Sequence, residues 1–416
     1  MTSRWFTDLL RAQQMRAGAL RGKIGAIGVA LADRGYAPST TGEKLRLMAH
    51  LGRWLDRRHL LVTALDELRV AQFLAHRRRC RCKPRSNSAT LRLVLELLRG
   101  LGTIDRPLRM EASDVGPIAQ VEGEFGRYLV EERGLSASTR ANYLPGVRRL
   151  LSGRFGAGAV HWADLRPEDI TRFLVSEART ESPGRMKVVV PALRVFLRWL
   201  HLRGETHTDL AGCVPRVADW RLAGLPKSIP PEQVERLLRC CDRATAIGRR
   251  DRAILLLLAR LGLRAGEVVA MRLDDVDWEM GELLVRGKGG RHEALPLPRD
   301  VGAALAAYLR HGRPSCSTRR VFVRAKAPRQ GFASSVAICN VMRRALDRAG
   351  LEPPRKGAHL LRHALACTML RRGASVPEIG EVLRHRSLDT TALYAKVDVV
   401  ALRAIAPTWP SAAGAL

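Results

Sequence analysis

The sequence predicts a mainly α-helical protein that carries one small antiparallel sheet. Three observations lead there. Helix-like segments in the N-terminal half recur in the same order further along the chain. The run Glu282–Pro298, ELLVRGKGGRHEALPLP, reads as strand, glycine-rich turn, strand. The C-terminal half is otherwise filled by apolar or amphipathic helical stretches, such as AILLLLARLGLRAGEVV.

The recurrence comes first in chain order. Gly35-Tyr-Ala-Pro-Ser39-Thr40 matches Gly134-Leu-Ser-Ala-Ser138-Thr139. Leu65 to Leu74, LDELRVAQFL, matches Leu165 to Leu174, LRPEDITRFL. Leu91 to Leu98 matches Leu193 to Leu200. Apolar periodicity alone matches many unrelated helices. Three matches in one order, at nearly constant spacing, argue for an internal duplication. The first copy spans roughly 1–112 and the second 117–207. In the second, Ser138-Thr139 is expected to cap a helix start. Residues 208–226 are punctuated by Pro and Gly and read as a linker. Ser228-Ile-Pro-Pro-Glu then opens a further domain with a capped helix, expected over 227–398. A tail, 399–416, carries a short apolar run from Val399 to Ile405.

Length and composition narrow the class. A chain of 416 residues suggests two to four domains. Its 71 Lys and Arg against 40 Asp and Glu leave a formal charge of +31, which points to a polyanionic partner. The run His76-Arg-Arg-Arg-Cys-Arg-Cys-Lys83 is suited to a nucleic-acid backbone. The longest unbroken apolar run, Ala253–Ala259, is too short to span a membrane. IGAIGVALA after Lys23 is short and broken by Gly, so it reads as a helix core and not a signal peptide. Eight Cys show no zinc spacing and read as reduced thiols of a cytoplasmic protein, with no metal expected. No GxxxxGK[ST] loop is present, and no cofactor is expected.

The chemistry concentrates in the last quarter, HLLRHALACTMLRRGASVPEIGEVLRHRSLDTTALYAKV. Arg362 follows His359 by three residues, so both can face one site from a single helix. His385 precedes Tyr394 by nine, with a short Asp-Thr-Thr break between helical segments. Two imidazoles, a guanidinium and a phenol at this spacing can attack a phosphodiester without a metal. Upstream, Arg264 stands in Leu-Gly-Leu-Arg-Ala-Gly-Glu267, and Lys288 sits at the tip of the Gly-rich hairpin.

This set, in this order, resembles the tyrosine recombinase (phage integrase) family. The family pattern is H-x-x-R-H, then L-G-H, then a Tyr nine residues on, preceded by an Arg and a hairpin Lys. The resemblance implies Arg264, Lys288, His359, Arg362, His385 and Tyr394 as the catalytic set. It implies that the phenol of Tyr394 attacks, with its pKa near ~10 requiring a base, for which His359 is the candidate. Arg264 and Arg362 would fork onto the phosphate oxygens, and Lys288 would protonate the leaving 5′ oxygen. Two positions depart from the pattern: Arg384 stands where Gly usually precedes the second His, and Lys396 where a His often follows the Tyr.

The resemblance also implies the architecture and partners. Residues 117–207 would be the helical core-binding (SAM-like) domain that clamps DNA, and 1–112 an extra domain of that kind. Residues 227–398 would form the mixed α/β catalytic domain, and the tail would dock on a neighbouring subunit. The expected partners are double-stranded DNA with specific recombination sites, a homo-tetramer on synapsed DNA, and helper recombinases. A mobile element is the expected setting, with the protein at the nucleoid. Two alternatives share features of the sequence: DNA relaxation of the type IB topoisomerase kind, and a non-cleaving DNA-binding accessory protein.

Overall fold

The computed structural model of the chain describes residues 17–79, 88–105, 116–156, 158–216, 228–287, 292–385, 387–391 and 393–394. It divides into two units, one of Asp105–Arg221 and one of Met1–Ile104 with Leu222–Leu416. Lys288, the end of the basic run from Cys80, most of the linker and the tail lie outside the described residues.

The N-terminal bundle contains α1 (Ile24–Asp33), α2 (Pro38–Arg57), α3 (Glu67–Arg79) and α4 (Ser88–Gly100), with a 3-10 turn at Val62–Ala64. Its own core includes Leu45, Trp54, Phe73, Leu91 and Leu98. The other unit contains α5 (Pro117–Glu131), α6 (Ala137–Phe155), α7 (Pro167–Thr180) and α8 (Pro183–Leu202), with a 3-10 turn at Trp162–Asp164. Phe125, Leu150, Ile170, Phe196 and Leu200 fill its core. The two bundles repeat one element order, long helix, 3-10 turn, helix, helix. Matched positions share their environment: Leu65 and Leu165, Val70 and Ile170, Leu91 and Leu193, Leu98 and Leu200 are all buried. Gly35 and Gly134 both hold positive φ (78° and 59°) at the turn into the long helix. One expectation is corrected. The cap of α6 is Ser136, whose side chain accepts from the Thr139 N–H at 3.2 Å, and Ser138 and Thr139 sit in the first turn.

The third region begins with α9 (Pro231–Arg239). Here too the start differs from expectation: α9 has Pro231 at its first position and no side-chain cap, so Ser228 does not cap it. The apolar run is the heart of α10 (Ala246–Arg260), with every residue from Ala253 to Ala259 buried, as for a helix packed on all sides. Thr245 caps it by accepting from the Gly248 N–H at 3.0 Å. The short α11 (Ala265–Ala270) follows, then the three-stranded antiparallel sheet β1 (Val276–Asp277), β2 (Glu282–Arg286) and β3 (His292–Pro296). The hairpin register runs from Glu282 opposite Pro296 to Arg286 opposite His292, so Lys288 falls in the connection between β2 and β3. On β2, Leu283 and Val285 are buried while Glu282 faces water, the alternation of a half-buried strand. Then come α12 (Arg299–His311), α13 (Val336–Arg348), α14 (His359–Arg371), α15 (Val376–Val382) and α16 (Leu388–Thr391). The Asp-Thr-Thr stretch expected as a break is thus one helical turn. Among the described residues, no helix is long and apolar enough to cross a membrane.

Candidate active site

The site forms where α10 ends, α11 and α14 begin, and α15 turns toward Tyr394. Gly262 follows α10 with φ of 57°. A Cβ there would lie 2.6 Å from Leu383 Cδ2 and 3.1 Å from Leu365 Cδ2, so both the backbone conformation and the close approach require glycine. Its carbonyl accepts from Arg362 Nη1, and the Leu383 carbonyl accepts from Arg362 Nη2. Those bonds accommodate a guanidinium that is 3% exposed. Burial, with the charges of Arg264 and Arg384, lowers the Arg362 pKa to about 10, and the group stays cationic at neutral pH.

Arg264 opens α11. Its backbone N–H donates to Glu267 Oε2 at 2.8 Å, its Nη1 to Glu267 Oε1 at 2.7 Å, and its Nη2 to the Arg384 carbonyl at 2.9 Å. Burial pushes the Glu267 carboxyl up, but the Arg264 hydrogen bonds and the Arg384 charge outweigh it, leaving a pKa below the ordinary value. Glu267 is therefore an anion held by two arginines. Arg264, Arg362 and Arg384 against one carboxylate leave the cluster net positive, the electrostatics of an anion site.

The imidazoles and the phenol lie beside this cluster. His359 opens α14 and is exposed. Local crowding of the ring and the charges of Arg362 and Arg264 lower its pKa. His363, one helical turn on, has its ring 6.2 Å from that of His359. Tyr394 is buried in a small core with Cys367, Leu370, Ile379 and Leu383. Its hydroxyl lies 2.7 Å from His363 Nδ1. His385 stacks nearly parallel to the Tyr394 ring, 6.4 Å between centroids, and its Nδ1 lies 2.7 Å from the hydroxyl oxygen of buried Thr391. Burial drives the Tyr394 pKa to about 12, against the pull of Arg362. Burial and neighbouring charges lower both His363 and His385 to about 4. At neutral pH the phenol is thus protonated and faces a neutral imidazole that can accept its proton.

The structure brings five of the six expected residues together: Arg264, His359, Arg362, His385 and Tyr394. The sixth, Lys288, lies outside the described residues. Three contributors were not assigned from sequence. His363 makes the contact to the phenol, and its i+4 spacing from His359 was the available signal. Arg384 stood out only as a departure from the family pattern, and its partner Glu267 lies 117 residues away; Thr391 lies six residues past His385, in the stretch expected as a break.

The site thus sets a buried tyrosine against an imidazole, beside clustered guanidiniums, in a helical domain with one small sheet. A profile of the phage integrase family matches residues 227–400. The Sinorhizobium fredii (strain NGR234) protein named "Putative integrase/recombinase y4rA" is 43% identical over 92% of this chain and 93% of its own. Tyrosine recombinase XerD of Mycobacterium tuberculosis is 33% identical over 67% of this chain and 93% of its own. The chain belongs to the phage integrase, or tyrosine recombinase, family. Its fold matches the XerH site-specific recombinase solved with a palindromic difH substrate, at a TM-score of 0.53 and 18% identity, over 71% of this chain and 98% of that one.

Proposed function

We propose that this recombinase acts at specific sites on double-stranded DNA, as a homo-tetramer on paired duplexes, and moves a mobile element. The contact between Tyr394 and His363, set beside the arginine cluster, carries the reading. Tyr394 Oη attacks the scissile phosphorus as its proton passes to His363 Nδ1. The bond to the 5′ oxygen breaks, and that oxygen takes a proton from Lys288. A 3′-phosphotyrosine and a free 5′ hydroxyl result. The reverse reaction with a different 5′ hydroxyl completes the exchange, and no nucleotide is consumed because the phosphotyrosine keeps the bond energy. Arg264 and Arg362 neutralise the oxygens, with His359 and His385 adding hydrogen bonds. When the Thr391 hydroxyl donates to His385 Nδ1, the Nε2–H is left to donate to phosphate.

The domains follow the same reading: 117–207 clamps DNA, 1–112 extends the clamp, 208–226 links, 227–398 cleaves, and 399–416 docks on a neighbouring subunit. Helper recombinases and a nucleoid location in the cytoplasm belong to the proposal. Three-guanidinium charge at the site and a net charge of +31 support a DNA partner.

Tyr394→Phe removes only the hydroxyl. It is expected to bind DNA from the flanks of its own gene as the parent does, yet to form no covalent adduct on nicked fragments of it. An adduct in this variant would place the nucleophile elsewhere. Relaxation of a supercoiled plasmid lacking any special site, at the rate seen with the flanking DNA, would favour the topoisomerase reading instead.

A further inference from the structure

Arg384 stands between α15 and His385 with φ of 55°, in the left-handed region that an arginine rarely adopts. Such residues persist where their surroundings over-determine them. Here the side chain supplies the constraint. Its Nη2 lies 3.0 Å from Glu267 Oε2, its Nη1 donates to the Val382 carbonyl at 3.2 Å, and the side chain is 6% exposed. Nε is buried without a hydrogen-bond partner, 3.9 Å from the Glu293 carboxylate on β3. The backbone of the same turn holds both arginines of the site: the Leu383 carbonyl takes Arg362 Nη2, and the Arg384 carbonyl takes Arg264 Nη2. Glu267 closes the loop, since it also takes Arg264 Nη1.

We propose that Arg384 is a positioning residue. Its guanidinium ties the Leu383–Arg384 turn to Glu267, so that the two carbonyls of that turn aim the Arg264 and Arg362 forks at the scissile phosphate. It also divides the Glu267 charge between two cations, which leaves Arg264 with net positive charge for the phosphate oxygens. Glycine would adopt this φ without strain and would supply neither tie nor charge. The inference rests on the recombinase reading above and goes beyond it, because it gives a task to a residue outside the expected catalytic set.

The test measures single-turnover adduct formation at saturating DNA, on nicked duplex fragments from the DNA flanking the gene. The scissile group is either a phosphate or a neutral methylphosphonate. Arg384→Gly is expected to melt and bind DNA like the parent, but to form adduct roughly ten- to a hundredfold more slowly on phosphate, the scale of a misaimed catalytic group. On methylphosphonate, which has less charge to neutralise, the loss should be smaller. Arg384→Lys should recover part of the rate. In a Glu267→Gln background, Arg384→Gly should cause little further loss, because the tie is already broken. Parental rates for Arg384→Gly would overturn the proposal while leaving the recombinase reading intact. Equal slowing on both substrates with a lowered melting temperature would also overturn it, since that marks a structural role only. Failure of the parent to form adduct on any fragment would overturn the recombinase reading, and this inference with it.

Discussion

At Tyr394, burial and reactivity pull in opposite directions. Packing among Cys367, Leu370 and Leu383 raises the phenol to a pKa of about 12, so the attack proposed for Tyr394 needs a base already in contact. In that proposal His363 is the base, because its Nδ1 touches the hydroxyl and the ring stays neutral down to about pH 4. The same depression makes stability depend on pH. Unfolded, the imidazoles of His363 and His385 take up protons near about 6.5; folded, they resist until about 4. Between those values the unfolded state binds more protons, so their contribution is present above about 6.5 and is lost as pH falls through that window. The melting temperature is expected to drop as pH is lowered toward 4, and to drop less in a His363→Asn, His385→Asn double variant. An equally steep fall in that variant would assign the acid sensitivity to other groups.

Among the elements, the end of α10 and the β2–β3 hairpin matter most. Gly262 lets the chain turn closely enough against Leu383 and Leu365 for its carbonyl to meet Arg362. Gly262→Ala combines a left-handed φ with a sub-van der Waals Cβ contact, and should cost about 2 kcal/mol of stability, read by denaturant titration. Cleavage should suffer as well, because the Arg362 carbonyl partner moves. A variant with parental stability would mean that the loop shifts freely. The hairpin carries a separate test. If Lys288 protonates the leaving oxygen, Lys288→Ala slows cleavage of ordinary DNA, whereas a 5′-bridging sulfur, which leaves without a proton, largely restores the rate. Equal slowing on both substrates would make Lys288 a phosphate contact.

For the whole molecule, the repeated bundle and the charge bear on one proposal, that residues 1–112 extend the DNA clamp. A second helical bundle of the same element order, in a chain of +31, suggests more phosphate contacts than one clamp makes. Deleting 1–112 should shorten the nuclease-protected footprint, weaken binding and flatten its salt dependence, because fewer counterions are released. A footprint and salt slope unchanged by the deletion would make the first bundle a protein-binding module.

The sequence by itself determined the class of fold and the family, for physical reasons tied to local pattern, and it named five residues that the fold brings together. Helical and strand periods, the run Ala253–Ala259 and the hairpin glycines act over short distances. The order of Arg264, His359, Arg362, His385 and Tyr394 survives in the chain whatever the fold. Local pattern misjudged the cap of α6, the start of α9 and the turn at Leu388–Thr391, where neighbouring positions offered competing solutions. Only the tertiary structure decided which imidazole meets the phenol, since His359 and His363 lie on the same helix and Tyr394 is 31 residues beyond His363. It alone gave Arg384 a partner, because Glu267 is 117 residues away in sequence. Carbonyls of Gly262, Leu383 and Arg384 became guanidinium acceptors for the same reason: every residue has one, and packing selects which of them a buried arginine must find.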